Sequence, residues 1–194
     1  MADAPKPGTW REWRVPLSRG QQTLRAARKT LEPFGADQRE IPLIIQLVEN
    51  PKYDLPGIDI FPGATDLPTH DMIHIVLGRG LLPKDEAFVI GFTMGSTDRF
   101  GATEQGLYGF FAKYLFPKIY RFGDEELRVF KDAVRLGYVS DCRSLAEVKY
   151  DSMLDLTLTQ ARAELGIEEE LLRAYYTIEK RRYPNSPESQ RLLD

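Results

Sequence analysis

Apolar residues in this chain recur at helical spacing, and few stretches alternate in the period-two manner of a half-buried strand. That pattern restricts the fold to helices packed on helices: an all-α, single-domain helical bundle over residues 17–183. A Pro-rich, aperiodic stretch over 1–16 reads as a flexible arm, with Trp10 and Trp13 placed to anchor it, and 184–194 reads as a disordered tail. Glycine and proline set the boundaries between helices. Helices are predicted over 17–33 and 38–49, the second with Asp37 and Glu40 in capping-box spacing and Ile41, Ile44, Ile45 and Val48 on one face. Residues 50–67 read as a loop. A helix then runs from Pro68 to Gly78, and the next starts at Pro83 and runs to about 96. The link Gly78-Arg79-Gly80-Leu81-Leu82 is short enough to predict an antiparallel helix hairpin. Gly91 and Gly95 give its second helix a smooth stripe for close packing. Further helices are expected over 103–120, 124–149, 157–165 and 168–183, with Gly166 ending the third of these.

Charge and cysteine content remove several function classes. A net charge of −3 leaves no global basic footprint, so nucleic acid is not an expected partner. The lone Cys142 cannot form an intramolecular disulfide or a thiolate zinc site, which points to a reducing, cytoplasmic setting. The first residues lack the apolar core of a secretory signal, and Asp3 and Glu12 interrupt what would otherwise be an Arg-rich leader. No run of apolar residues is long enough to span a membrane.

The chemistry concentrates in one run, His70-Asp71-Met72-Ile73-His74, and in Glu86 beyond the link. Residues four apart share a helix face, so His70 and His74 can point at one spot, with Asp71 on the edge of the same arc. A hairpin returns Glu86 toward His74. Two imidazoles and two carboxylates form a candidate site for a divalent metal with ligands His70, Asp71, His74 and Glu86. That donor set suits zinc, iron, manganese and cobalt alike, geometry rather than ligand type separating them, and zinc is the leading expectation. The bland alternative is a pair of half-buried histidines hydrogen-bonded to acids. The run is similar to the His-Glu-x-x-His helix of zinc peptidases, but Asp71 stands where the glutamate base belongs and reaches one methylene less far. The His70-Asp71 pair is also similar to the HD-type phosphohydrolases, which need an upstream histidine that this chain lacks.

A wider resemblance covers roughly residues 40–167. His70-Asp71-x-x-His74 followed by Glu86 resembles the signature of the ubiquinone (coenzyme Q) biosynthesis family typified by the fourth Coq protein. HDMIHIVLGRG resembles that family's His-Asp helix, and DAVRLGYVSDCRSLAEVKYDSML its later Ala-x-x-x-Gly helix with the segment after it. LTLTQARAELGI resembles its closing segment, where Leu158, Arg162, Leu165, Gly166 and Ile167 match and Thr157 replaces the usual proline. The resemblance implies an all-helical protein holding a divalent metal on His70, Asp71, His74 and Glu86. It implies action at C1 of a prenylated hydroxybenzoate-type ring, by oxidative decarboxylation, in company with other quinone-biosynthesis proteins at the inner face of a membrane. Residues 168–183 continue beyond the family's usual close, and PGATDLPT is unlike its usual approach to the metal helix.

A greasy substrate needs walls. Residues 100–122 carry Phe100, Tyr108, Phe110, Phe111, Tyr114, Phe116, Tyr120 and Phe122, with Phe111 and Tyr114 on one helical stripe. They can line an elongated cavity for an isoprenoid lipid, with Gly91 and Gly95 leaving room. With Lys113, Lys118 and Arg121 they can form an interfacial surface, or they can be ordinary core. Leu77, Val89, Ile90 and Thr93 are candidates for the floor of a pocket beside the metal. Arg79 and Arg99 are candidates for an acidic substrate group, or are solvated surface arginines. The leading expectation is a metal-dependent decarboxylase or hydroxylase of a prenylated aromatic acid. The alternatives are a non-catalytic prenyl-lipid binding and organising protein with a structural metal, and a metal-dependent hydrolase. Self-association as a homo-oligomer is compatible with each.

Overall fold

In a computed structural model, residues 8–34, 67–97 and 122–193 are described. The helices are α1 (Leu24–Lys29), α2 (Leu67–Leu77), α3 (Pro83–Gly95), α4 (Asp124–Val139), α5 (Leu158–Leu165), α6 (Glu169–Arg182) and α7 (Pro187–Gln190). Short 3-10 turns stand at Leu17–Arg19, Glu32–Phe34, Leu145–Glu147 and Tyr150–Met153. Among the described residues there is no strand, only an isolated antiparallel bridge between Thr23 and Thr157. The all-α class is therefore what the chain adopts, and among these residues no helix is long and apolar enough to cross a membrane.

Local chemistry explains the boundaries. Thr23 and Thr157 cap α1 and α5, each hydroxyl accepting a backbone N–H three residues on. Gln160 reaches back to the Thr157 N–H and completes a capping box. Gly166, at φ 71°, ends α5 in the left-handed conformation that glycine adopts without a Cβ clash. The expected helix over 17–33 is broken, because Thr23 is extended and pairs with Thr157 before α1 begins. The helix expected to reach residue 149 stops at Val139, where Ser140 turns extended and its hydroxyl donates to the Gly137 carbonyl. Tyr138, four residues beyond the buried Val134 and so on the same side by helical spacing, is nevertheless 72% exposed.

The glycines of α3 do not leave room; they remove it. A Cβ on Gly95 would lie 2.1 Å from the Val134 carbonyl oxygen, and one on Gly91 would lie 2.5 Å from that of Phe130. Gly137 of α4 meets the Phe92 carbonyl in the same way at 2.4 Å. The stripe is filled by the backbone of α4, so Gly91 and Gly95 cannot widen a lipid cavity.

Two segments expected to be loose are docked. Trp13 is fully buried and its indole N–H donates to the Thr30 hydroxyl at 3.0 Å, while Val15 and Leu17 join the core. Trp13 thus anchors the segment as expected, and from Trp13 onward it is a packed strap, while Gly8, Thr9, Arg11 and Glu12 stay exposed. Beyond Tyr183, Ser186 caps α7, Leu192 is buried, and Lys180 donates to the Leu192 carbonyl at 2.8 Å. The tail is part of the body through residue 193. The expected helices over 38–49 and 103–120, and residues 50–66 of the expected loop, lie outside the described residues.

Candidate metal centre

The site is built on α2 and the first turn of α3. Burial all round draws α2 inside: Met72, Ile73, Ile75, Val76 and Leu77 are buried, so His70 and His74 point into the protein rather than into water. Pro83 opens α3 and the Asp85 carboxylate accepts the Leu82 N–H at 3.2 Å, which sets the turn carrying Glu86.

Three donor atoms converge. His74 Nε2 lies 2.9 Å from His70 Nε2 and 3.3 Å from Glu86 Oε1, and His70 Nε2 lies 3.1 Å from Glu86 Oε2. All three ligand atoms fall within 4.8 Å of one another, the geometry of a group able to hold a metal ion. His74 Nδ1 lies 2.7 Å from the Gly80 carbonyl oxygen. A carbonyl only accepts, so Nδ1 carries the proton, and in the neutral ring Nε2 is left with its lone pair toward the other two donors. Glu86 Oε1 is buried and, apart from the 3.3 Å approach of His74 Nε2, has no hydrogen-bond partner. Facing lone pairs and an orphaned buried carboxylate oxygen need a cation between them, either a proton or a metal, so the residues fit a divalent ion.

The electrostatics agree. Burial would raise the Glu86 pKa, but His74 and His70 pull it well below the usual carboxylate range. Burial would likewise lower the His74 pKa, and Glu86 overrides it and holds it above the ordinary value. The carboxylate thus keeps its charge in a dry site, which attracts whatever cation is available.

The other candidate residues are placed as follows. Asp71 is only partly buried and lies outside the three-residue group. Burial pushes its carboxyl up, against the pull of His74, His70 and Arg28. Arg79 is neither at the surface nor free for a substrate. It is fully buried, forked on Glu179 at 3.1 and 2.6 Å, and its guanidinium lies over the Phe88 and Tyr176 rings at 3.9 and 4.3 Å. An arginine bracketed by glycines looked solvated because its carboxylate partner is a hundred residues away. Leu77, Val89 and Ile90 belong to the hydrophobic core, and the Thr93 hydroxyl donates to the Val89 carbonyl of its own helix at 2.8 Å. Phe111, Tyr114 and Arg99 lie outside the described residues, as do the aromatics of 100–121; Phe122 is a core residue.

What the motif alone does not show is how α2 ends beside the site. Its last four carbonyls have no partner within the helix. Arg79 N–H donates to His74 O at 3.0 Å and Gly78 N–H to Ile75 O at 3.2 Å. Arg162 Nε donates to Val76 O at 2.8 Å and the Tyr176 hydroxyl to Leu77 O at 2.5 Å. Arg162 and Tyr176 therefore act as side-chain caps supplied by α5 and α6. The sequence signal for them was slight: an arginine inside an apolar helix face and a tyrosine pair. Set beside known proteins, the chain matches no family model, no curated protein and no solved structure.

Proposed function

We propose that the protein is a metal-dependent enzyme acting at C1 of a prenylated hydroxybenzoate-type ring, converting the ring carboxylate to hydroxyl by oxidative decarboxylation. The observation that carries the metal is the convergence of His74 Nε2, His70 Nε2 and Glu86 on one point, with His74 held in the Nδ1–H form by the Gly80 carbonyl. Among the described residues two histidines and one carboxylate form a three-donor set, the number a catalytic zinc site uses, whereas a structural zinc site is closed by four ligands. That favours catalysis over a purely organising role. The ring substrate itself comes from the His70-Asp71-x-x-His74…Glu86 resemblance to the ubiquinone-biosynthesis family, as do its companions at a membrane surface.

When bound, the ion supplies Lewis acidity toward the acidic substrate head, and iron or manganese also supplies electron transfer. The chain's own residues would hold the ion: His74, oriented by its bond to the Gly80 carbonyl, with His70 and Glu86 beside it, all three side chains buried from water. The overall change breaks the bond between C1 and the carboxyl carbon, which leaves as carbon dioxide. One atom of dioxygen becomes the ring hydroxyl and the other leaves as water, and from the carboxylate this takes three protons from solvent and two electrons from an external two-electron reductant.

The test uses purified full-length protein loaded separately with zinc, iron, manganese or cobalt. Each form is incubated with carboxyl-labelled prenylated 4-hydroxybenzoate, dioxygen and a reductant. Release of labelled carbon dioxide with formation of the hydroxylated ring, lost in His74→Ala, is the expected result. Metal-loaded protein that binds the prenylated ring and releases nothing would leave lipid binding as the function. Protein that takes up no metal would remove the reading altogether.

A further inference from the structure

The segment beyond Tyr183 does more than cover the core. Arg191 donates through Nη1 to the Arg11 carbonyl at 2.6 Å and through Nη2 to the Asp85 carboxylate. Its guanidinium lies so close over Gly80 that a Cβ there would stand 2.1 Å from Nη2. Gly80 is the residue whose carbonyl orients His74, and Asp85 is the residue that caps the turn carrying Glu86. One guanidinium therefore touches the supports of two of the three metal donors. The Trp13 carbonyl would meet the same Cβ at 2.7 Å, so the guanidinium and the strap backbone crowd one face of Gly80 together. The neighbouring Arg79 is fixed by Glu179, which in turn accepts the Ser189 hydroxyl at 3.0 Å from α7. The link between α2 and α3 is thus held by residues a hundred or more positions further along the chain.

We infer that Arg191 is a positioning residue for the metal: it holds the Gly80 carbonyl against His74 Nδ1 and the Asp85 cap beneath Glu86, and so preorganises the donors from outside the site. The inference rests on the reading that His70, His74 and Glu86 take a metal. Partners that orient a ligating histidine set metal affinity by about 10–100-fold. Loss of Arg191 frees the Gly80 peptide and leaves the buried Asp85 without its main counter-charge, so both donors lose their fixed direction.

The experiment measures zinc affinity by competition with a chromophoric chelator, and the cobalt d–d spectrum, on full-length wild type, Arg191→Ala and Arg191→Lys. Phe130→Leu, a core change at the Gly91 contact, serves as the control for lost stability. Apo-protein melting and helical circular dichroism are recorded for all four. Arg191→Ala is expected to weaken zinc by about 10-fold or more and to alter the cobalt spectrum, with helix content retained. Lysine reaches Asp85 as a point charge but cannot also bridge to Arg11, so Arg191→Lys should recover part of the affinity. Phe130→Leu should lower the melting temperature without moving the affinity. Zinc affinity within twofold of wild type in Arg191→Ala overturns the positioning role while leaving the metal site standing. An affinity loss in Phe130→Leu that matches its loss of melting temperature overturns it as well, since general stability would then account for the effect. Should Arg191→Ala fail to fold, Arg191→Lys decides: wild-type affinity and spectrum there overturn the role. Wild-type protein that binds neither zinc nor cobalt overturns the site reading and this inference together.

Discussion

At the residue scale, the hydrogen bond from His74 Nδ1 to the Gly80 carbonyl decides the most. It keeps a proton on Nδ1 and so turns Nε2 toward His70 and Glu86 before any ion arrives. His70→Ala and His74→Ala should each abolish stoichiometric metal, measured by elemental analysis of purified protein. Glu86→Gln should retain some, because an amide oxygen is a weaker ligand than a carboxylate. Asp71→Asn is the informative contrast: with Asp71 outside the converging group, metal content should stay near wild type, and equal loss would bring Asp71 back among the ligands. Cys142 offers a separate check on packing. Burial pushes its thiol up to about 12, so at pH 8 the thiolate is a small minority and should react with a disulfide reagent far more slowly than an unfolded cysteine. The reactive fraction should rise as pH climbs toward 12, and urea should restore ordinary reactivity at pH 8. Fast labelling of the native protein at pH 8 would show that the site opens.

At the element scale, the contact of α3 with α4 depends on three glycines, and each meets a carbonyl rather than a pliable side chain. Gly95→Ala should therefore cost roughly 1–3 kcal/mol or more, read from denaturant midpoints, because backbone cannot step aside cheaply. Gly78→Ala should also destabilise, since φ 72° strains an alanine and its Cβ would stand 2.8 Å from Leu17. The ends of α2, α3 and α5 were legible in the sequence because proline and glycine sit where a helix must start or stop, and those rules are local. The end of α4 was not. Leu145 and Val148 extend the apolar period past Val139, yet they are reached by a 3-10 turn that brings Leu145 back to the core. Periodicity alone cannot distinguish one continuous helix from a turn that happens to land on the same face. The site was legible in the same proportion. His70 and His74 follow from helix spacing and Glu86 from the short link, whereas Arg79, Arg162, Tyr176 and Arg191 act through partners that no local pattern announces.

At the scale of the whole molecule, a buried ion network ties the site to the last described segment. Arg79 and Glu179 are both wholly buried, with Asp85 and Arg191 beside them. Removing one member of such a pair strands the other charge, so Glu179→Gln should cost on the order of 3–5 kcal/mol in a thermal or denaturant melt, several times the cost of cutting the exposed Arg25–Asp155 pair. A small effect would mean that Asp85 alone can neutralise Arg79.

The four carbonyls that close α2 have a consequence in time as well as in space. Two are satisfied by the local chain, and two wait for Arg162 and Tyr176. A nascent chain that has emerged only to about residue 150 already contains His70, His74 and Glu86, yet the end of their helix still faces solvent with two unmet acceptors. The pocket for the ion should therefore assemble late in synthesis, once α5 and α6 have arrived, and long-range closure of this kind is slow. Native-state hydrogen exchange can detect it: amides in the last turn of α2 should open only with global unfolding, in step with those of α5 and α6.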